Sequence, residues 1–230
     1  MPPNNVRPIL LKSQWFSDLP APIVDQLVAI CKPKKLHASE LLHRKNDPAE
    51  GLYCVLSGRI RISNYSLQGK ELILTWLQPG SWFGEISLFD GLPRTHDARA
   101  EEATELLKIP ASAFSTLLAE QPLLYPHFMR LLCQRIRATF SLIEESGTLS
   151  LKGQLCKRLL LLGEGLEQQK GSDKPLVLSL SQESLALLLH TTRQTVNKLL
   201  QEVQREGAIK VHYGKITLLK HKTLLALSQG

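Results

Sequence analysis

Between positions 32 and 108, glycines at Gly51, Gly58, Gly69, Gly80, Gly84 and Gly91 leave gaps of about ten residues or fewer. Those gaps alternate apolar and polar side chains. Leu52-Tyr53-Cys54-Val55-Leu56, Arg59-Ile60-Arg61-Ile62-Ser63 and Glu71-Leu72-Ile73-Leu74-Thr75-Trp76 read as strands, with Gln68-Gly69 and Gln78-Pro79-Gly80 as turns. Short strands at even spacing build a compact β-barrel or jelly roll. Before them comes a loose, Pro-containing start. Residues 21–31 then read as a short amphipathic helix with Ile23, Leu27 and Ile30 on one side.

From Pro122 the period changes. Met129, Leu132, Ile136, Thr139 and Ile143 recur at alternating steps of three and four, the rhythm of a helix seam, which predicts one long helix ending near Gly147. That seam either pairs with a second copy of the helix or lies on the barrel of its own chain. Residues 151–166 form another apolar-striped helix, 168–175 a polar loop, and 176–180 a strand.

The formal net charge of +7 is concentrated in the last third: residues 150–230 carry 12 Lys and Arg against 6 Asp and Glu, and the rest is near balance. This fits an anionic partner or a solvated basic surface. Within it, Ser181 stands at an N-cap with Gln182 and Glu183 behind it, one residue short of a capping box. Leu185, Leu188 and Leu189 give that helix its apolar face. His190-Thr191-Thr192 breaks it, and Thr192 caps a second helix at 193–205 packing through Val196, Leu199, Leu200 and Val203. The leading residues Arg193, Gln194, Thr195, Asn197 and Lys198 are polar, as in a helix inserted into the DNA major groove by its N-terminal end. Segments 207–211 and 215–219, joined through Tyr213-Gly214, form a hairpin behind it, giving a winged helix-turn-helix centred on 181–201.

Several classes find no support. Cys31, Cys54, Cys133 and Cys156 are scattered without a CxxC pair, as expected of buried free thiols in a reducing cytosol. No metal-ligand cluster, P-loop or Ser/His/Asp grouping is present, so no enzyme is expected. The Met-Pro-Pro-Asn-Asn start lacks a secretory pattern, and apolar runs such as 159–162 are too short to span a bilayer, so a cytoplasmic location without membrane association is expected.

Three stretches carry a family resemblance: Gly51-Leu-Tyr-Cys-Val-Leu-Ser-Gly58, Phe83-Gly-Glu-Ile-Ser-Leu-Phe-Asp-Gly-Leu-Pro-Arg94-Thr95, and Thr192-Arg-Gln-Thr-Val-Asn-Lys198. The chain resembles the cyclic-AMP receptor protein / fumarate–nitrate regulator (Crp/Fnr) family over nearly its whole length. The resemblance implies an α+β fold with a cyclic-nucleotide-binding-like barrel at 1–121, a dimerisation helix and hinge at 122–149, and a winged helix-turn-helix at 150–230. It implies a bacterial, homodimeric, allosteric regulator pairing through 122–147, reading a pseudo-palindromic double-stranded DNA site, with RNA polymerase as a further partner. The second stretch resembles the phosphate-binding cassette. Gly84, Glu85, Ile86, Ser87, Arg94 and Thr95 would then surround a cyclic nucleotide such as cyclic AMP, with Glu85 on the ribose and Arg94 and Thr95 on the phosphate. Arg135 matches a basic partner of Glu85, and Thr139 a hydroxyl that reaches the purine. No resident cofactor is implied.

The departures from the family pattern leave alternatives open. Phe140 replaces the serine of cyclic-AMP-binding members, and its ring can stack on a base or fill the pocket. His96 replaces a small residue and reads as a surface histidine, a pH-sensitive neighbour of the phosphate, or a metal or haem ligand. A Glu85–Arg94 salt bridge in a degenerate cassette is the other reading of that pair. An N-terminal iron–sulfur cluster would need more cysteines than Cys31, and haem has only Pro2, His37 and His96 as candidate ligands. Gln194 stands where many relatives have Glu, which moves the expected base partner from cytosine toward adenine. Arg193 is expected on a guanine, and Lys198 on a guanine or a phosphate. The family picture has the effector shift the helix pairing through Thr139 and a hinge at 146–150. Two further classes compete: a cyclic-nucleotide-binding subunit of an enzyme or channel, and an architectural DNA binder without an effector.

Overall fold

The computed structural model describes residues 6–13, 15–170, 176–212 and 214–229, with the backbone alone for 164–170. Pro2, Tyr213 and positions 171–175 of the expected polar loop lie outside the described residues. The chain divides into two units, Met1–Asn64 with Leu74–Ile136, and Tyr65–Ile73 with Arg137–Gly230.

The first unit opens with α1 (Val6–Lys12) and α2 (Ala21–Ile30), followed by β1 (Lys32–Leu36), β2 (Leu41–His43), β3 (Gly51–Ser57), β4 (Ile60–Tyr65), β5 (Glu71–Leu77) and β6 (Trp82–Phe83). A one-turn helix, α3 (Ile86–Phe89), precedes β7 (Asp97–Ala100), β8 (Thr104–Pro110) and α4 (Ala111–Glu120). The strands form two antiparallel four-stranded sheets, ordered β1-β8-β3-β6 and β2-β7-β4-β5. Tyr53, Val55 and Leu106 on one face of the first sheet meet Ile60, Ile62, Ala98 and Ala100 of the second. Leu52, Cys54, Leu107 and Ile109 point the other way, into a cluster with Leu10, Phe16, Leu27, Phe114 and Phe128. This two-sided burial explains why β3 reads as an almost unbroken apolar run. Gly58 has φ +76°, and a Cβ there would lie 2.5 Å from the Ala103 carbonyl oxygen.

Two expectations need correction here. The N-terminal stretch is not loose from residue 6 onward: Val6 and Leu10 are buried, and their four-residue spacing makes α1 part of the core. Of the four thiols, Cys133 is exposed, because it lies beside rather than on the packed face of its helix. Burial pushes Cys31 and Cys54 up to about 12 and Cys156 up to about 11, so these three stay protonated and unreactive.

The long helix α5 (Leu124–Thr148) turns a face other than the expected seam to the barrel of its own chain. Its first turns bury Leu124, His127, Phe128 and Leu131 in the first unit's core. The seam residues Met129, Ile136 and Ile143, with Phe140 next to Thr139, are all more than half exposed.

The second unit continues with α6 (Leu151–Lys170), β9 (Leu176–Ser179), α7 (Gln182–Leu188), α8 (Arg193–Arg205), β10 (Ile209–His212), β11 (Lys215–Leu218) and α9 (His221–Leu227). Helix α6 runs to Lys170, four residues past its expected end. Strand β9 joins the hairpin, giving the order β10-β11-β9. Leu155, Leu159, Leu185, Val196, Leu200, Val203, Ile216 and Leu224 are each almost wholly buried.

Candidate functional site

The first candidate site is the loop from β6 through α3 to β7. Gly84 has φ +95°, and a Cβ there would lie 2.9 Å from Arg94 Nη1 and 3.0 Å from the Gly51 carbonyl oxygen. Only glycine allows this approach. Arg94 is 4% exposed. It donates from Nη1 to the Gly84 carbonyl and from Nη2 to the Gly51 carbonyl, each at 2.8 Å, while its Nε is buried without a partner. Its guanidinium carbon lies 5.8 Å from the centre of the Tyr53 ring. Burial pulls Arg94 below its ordinary value, and the group remains charged throughout the physiological range. The turn after β2 fixes its backbone: the Asn46 amide donates to the Arg94 carbonyl and the Arg94 amide to the Asp47 carbonyl, both at 2.8 Å.

Glu85 is 1% exposed. Arg135 on α5 donates to Glu85 Oε1 and to the Trp82 carbonyl, and its guanidinium carbon lies 4.8 Å from the Trp15 ring centre. The partner of Glu85 is therefore Arg135 and not Arg94, because Arg94 is turned onto two backbone carbonyls. Glu85 Oε2 remains buried with no hydrogen-bond partner. Ser87 is buried, and its hydroxyl donates to the Pro93 carbonyl at 3.2 Å, bracing the loop. Ile86 is 42% exposed. Thr95 is exposed, with Oγ1 2.7 Å from His96 Nδ1. Leu42, His43, Asp47, Pro48, Glu50, Tyr53 and Arg94 line a small adjoining pocket.

The first unit thus gathers Gly84, Glu85, Ile86, Ser87, Arg94, Thr95 and Arg135. Thr139 and Phe140, further along α5, belong to the second unit, and both are exposed. Sequence reasoning missed Trp15, Tyr53, Trp82 and His43 as supports of the cassette. Gly51 and Tyr53 stood in a recognised stretch, but Trp15 has no local signal.

The second candidate site is the α7–α8 pair. The Ser181 hydroxyl caps α7, accepting from the Ser184 amide at 2.9 Å, and Thr192 caps α8, accepting from the Thr195 amide at 3.1 Å. His190 turns the chain between them at φ +53°, a left-handed position more usual for glycine. The first turn of α8 holds no acidic residue, so its N-terminal dipole is available to a phosphate. Arg193, Gln194, Asn197 and Lys198 are exposed, and Gln182 Nε2 donates to Asn197 Oδ1 at 3.2 Å. Gln204 Oε1 accepts from the Val211 amide at 2.7 Å, tying the far end of α8 to the wing.

A jelly-roll unit with a phosphate-cassette loop, followed by a winged helix-turn-helix, defines a DNA-binding regulator with a small-molecule domain. The cyclic nucleotide-binding domain family matches residues 33–121, and the Crp-like helix-turn-helix domain family matches 153–227. The transcriptional regulator SdrP of Thermus thermophilus is 33% identical over 183 residues, 80% of this chain and 86% of that protein. A CRP-like cAMP-activated global transcriptional regulator of Mycobacterium tuberculosis is 27% identical over 95% of this chain and 97% of its own. The crystal structure of a CRP/FNR-family transcriptional regulator from Thermus thermophilus superposes with TM-score 0.70 at 28% identity, covering 86% of this chain and 99% of that one. The chain belongs to the Crp/Fnr family of transcription regulators. It is a DNA-binding regulator carrying a cyclic nucleotide-binding domain, and its relatives are regulators rather than enzymes. Among the described residues no helix is long and apolar enough to cross a membrane.

Proposed function

We propose that the chain acts as a cytoplasmic homodimer whose affinity for a two-fold DNA site is set by a cyclic nucleotide held in the barrel cassette. The observation that carries this reading is Glu85: buried, ion-paired on one oxygen, and holding the other oxygen without a partner. An orphaned carboxylate oxygen in a protein interior is costly unless a ligand completes it, and a ribose hydroxyl is the donor the cassette suits. Arg94 and Thr95 supply the phosphate end. The relative named as cAMP-activated supports cyclic AMP as the first ligand to test.

Pairing would occur along α5, whose exposed Met129, Ile136, Phe140 and Ile143 continue the seam. Thr139 lies on that seam and would carry the effector signal to it, through a hinge at 146–150. Ser181, Gln182, Thr192 and Thr195 would hold the backbone of the DNA, while Arg193, Gln194, Asn197 and Lys198 face the base edges. RNA polymerase would be a further partner in this role.

One observation favours a second reading. Both Nη groups of Arg94 already donate to carbonyls, as in a cassette that has lost its ligand and kept its arginine for structure. Calorimetry with cyclic AMP, cyclic GMP and cyclic di-GMP separates the two. The first reading expects saturable binding of at least one, weakened at least tenfold by Arg94→Ala. Silence with all three leaves the second reading standing.

A further inference from the structure

Two imidazoles flank the cassette, His96 against Thr95 and His43 beside Arg94 in the adjoining pocket. His43, at the end of β2, is 8% exposed, and neither ring nitrogen has a hydrogen-bond partner of normal geometry. His96 directly follows Arg94 and Thr95 in the chain. The two rings lie 6.3 Å apart, tilted by 46°. Around His43 stand Arg94, His96, Asp47 and the backbone of Arg44. Glu50 and Tyr53 line the same pocket, and Glu50 is already paired with Lys108 at 2.9 Å. Around His96 stand Arg94, Arg135 and Asp97. Arg135 is engaged by Glu85, and Asp97 Oδ1 accepts from the Lys45 amide at 2.7 Å. The result is a partly buried cluster of basic groups faced by the carboxylates of Asp47 and Asp97. Burial first, and Arg94 next, hold both imidazoles below their ordinary value.

We propose that His43 and His96 are the proton-accepting pair of the effector site: a phosphate-bearing ligand gripped by Arg94 and Thr95 binds together with a proton. The proposal rests on reading the cassette as a phosphate site. An anion arriving beside Arg94 offsets the arginine's share in keeping the imidazoles neutral, so their proton affinity rises. By linkage, the ligand binds more tightly as pH falls. His96 is the leading member, because it adjoins Thr95 and feels both arginines.

Calorimetry with cyclic AMP tests this on the intact chain. Its phosphodiester does not titrate between pH 6 and 8, so any proton taken up belongs to the protein. Run near pH 6.5 in buffers of different ionisation enthalpy, the binding heat should vary with buffer in the sense of proton uptake. Affinity should fall from pH 6 to pH 8 by about tenfold for each unit by which the ligand lifts an imidazole above pH 6. In a His43→Gln, His96→Gln double variant the ratio of affinities at the two pH values should approach one. Binding without proton uptake, or a double variant that keeps the wild-type pH ratio, overturns the proposal alone. Absence of binding by cyclic AMP, cyclic GMP and cyclic di-GMP at both pH values overturns it together with the nucleotide reading.

Discussion

At the scale of single residues, the cassette is held by groups whose protonation and pairing can be tested. His43 is kept neutral by burial, its value drawn down to about 4 from the 6.5 of an unburied imidazole. The unfolded chain therefore takes up a proton below about pH 6.5 that the ligand-free folded chain refuses. Stability is full above that range and declines as pH falls toward 4, by about 3 kcal/mol in all. Denaturant unfolding of ligand-free protein at pH 7.5 and pH 5 should show about 2 kcal/mol of this loss, and His43→Leu should reduce it. An equal pH dependence in the variant would show that other groups are responsible. Arg135 bridges Glu85 and the Trp82 carbonyl. Arg135→Ala leaves a buried carboxylate unpaired and should cost about 3 kcal/mol, the low end for such pairs because Arg135 itself is 41% exposed. Arg135→Lys should restore only part of this, since a single ammonium cannot span both acceptors in the fork geometry. The pairing of Glu85 with Arg135 was open to the family match. The carbonyl capping of Arg94 was not, because it depends on Gly51, 43 residues away in the chain.

At the scale of elements, hydrophobic period and capping residues marked most boundaries. Ser181 and Thr192 cap α7 and α8 as their chemistry demands, and the seam from Met129 to Ile143 lies on one unbroken helix. What stayed hidden was local in sequence but tertiary in cause. Helix α1 is short and contains Pro8, and it exists because Val6 and Leu10 find a core to enter. Helix α6 overran its expected end because its last residues, Glu167 to Lys170, are polar and give no periodic signal. Two changes probe the DNA-reading pair directly. Thr192→Ala removes the α8 cap and should cost about 1 kcal/mol in thermal or denaturant unfolding. Arg193→Ala should weaken binding to the preferred DNA site by about 1–3 kcal/mol while relaxing selectivity at one base pair. Equal weakening on every sequence in a binding selection would place Arg193 on the phosphate backbone instead.

At the scale of the whole molecule, the unit carrying the cassette and the unit carrying the DNA-reading pair share the helix α5. The charge asymmetry in the sequence already separated the two roles, with nearly all the excess positive charge beyond residue 150. The proposed dimerisation would use the exposed α5 face. Ile136→Glu with Ile143→Glu should give a monomer by sedimentation equilibrium and lose most affinity for a two-half-site DNA, while a dimer that persists would move the interface elsewhere. The central claim is that occupancy of the cassette sets DNA affinity. It is tested most directly by titrating a selected DNA site, followed by fluorescence anisotropy, with and without saturating cyclic nucleotide. The account predicts a ligand-dependent change in affinity of fivefold or more, lost in Arg94→Ala. Identical DNA affinity with cyclic AMP, cyclic GMP, cyclic di-GMP and no ligand would contradict it.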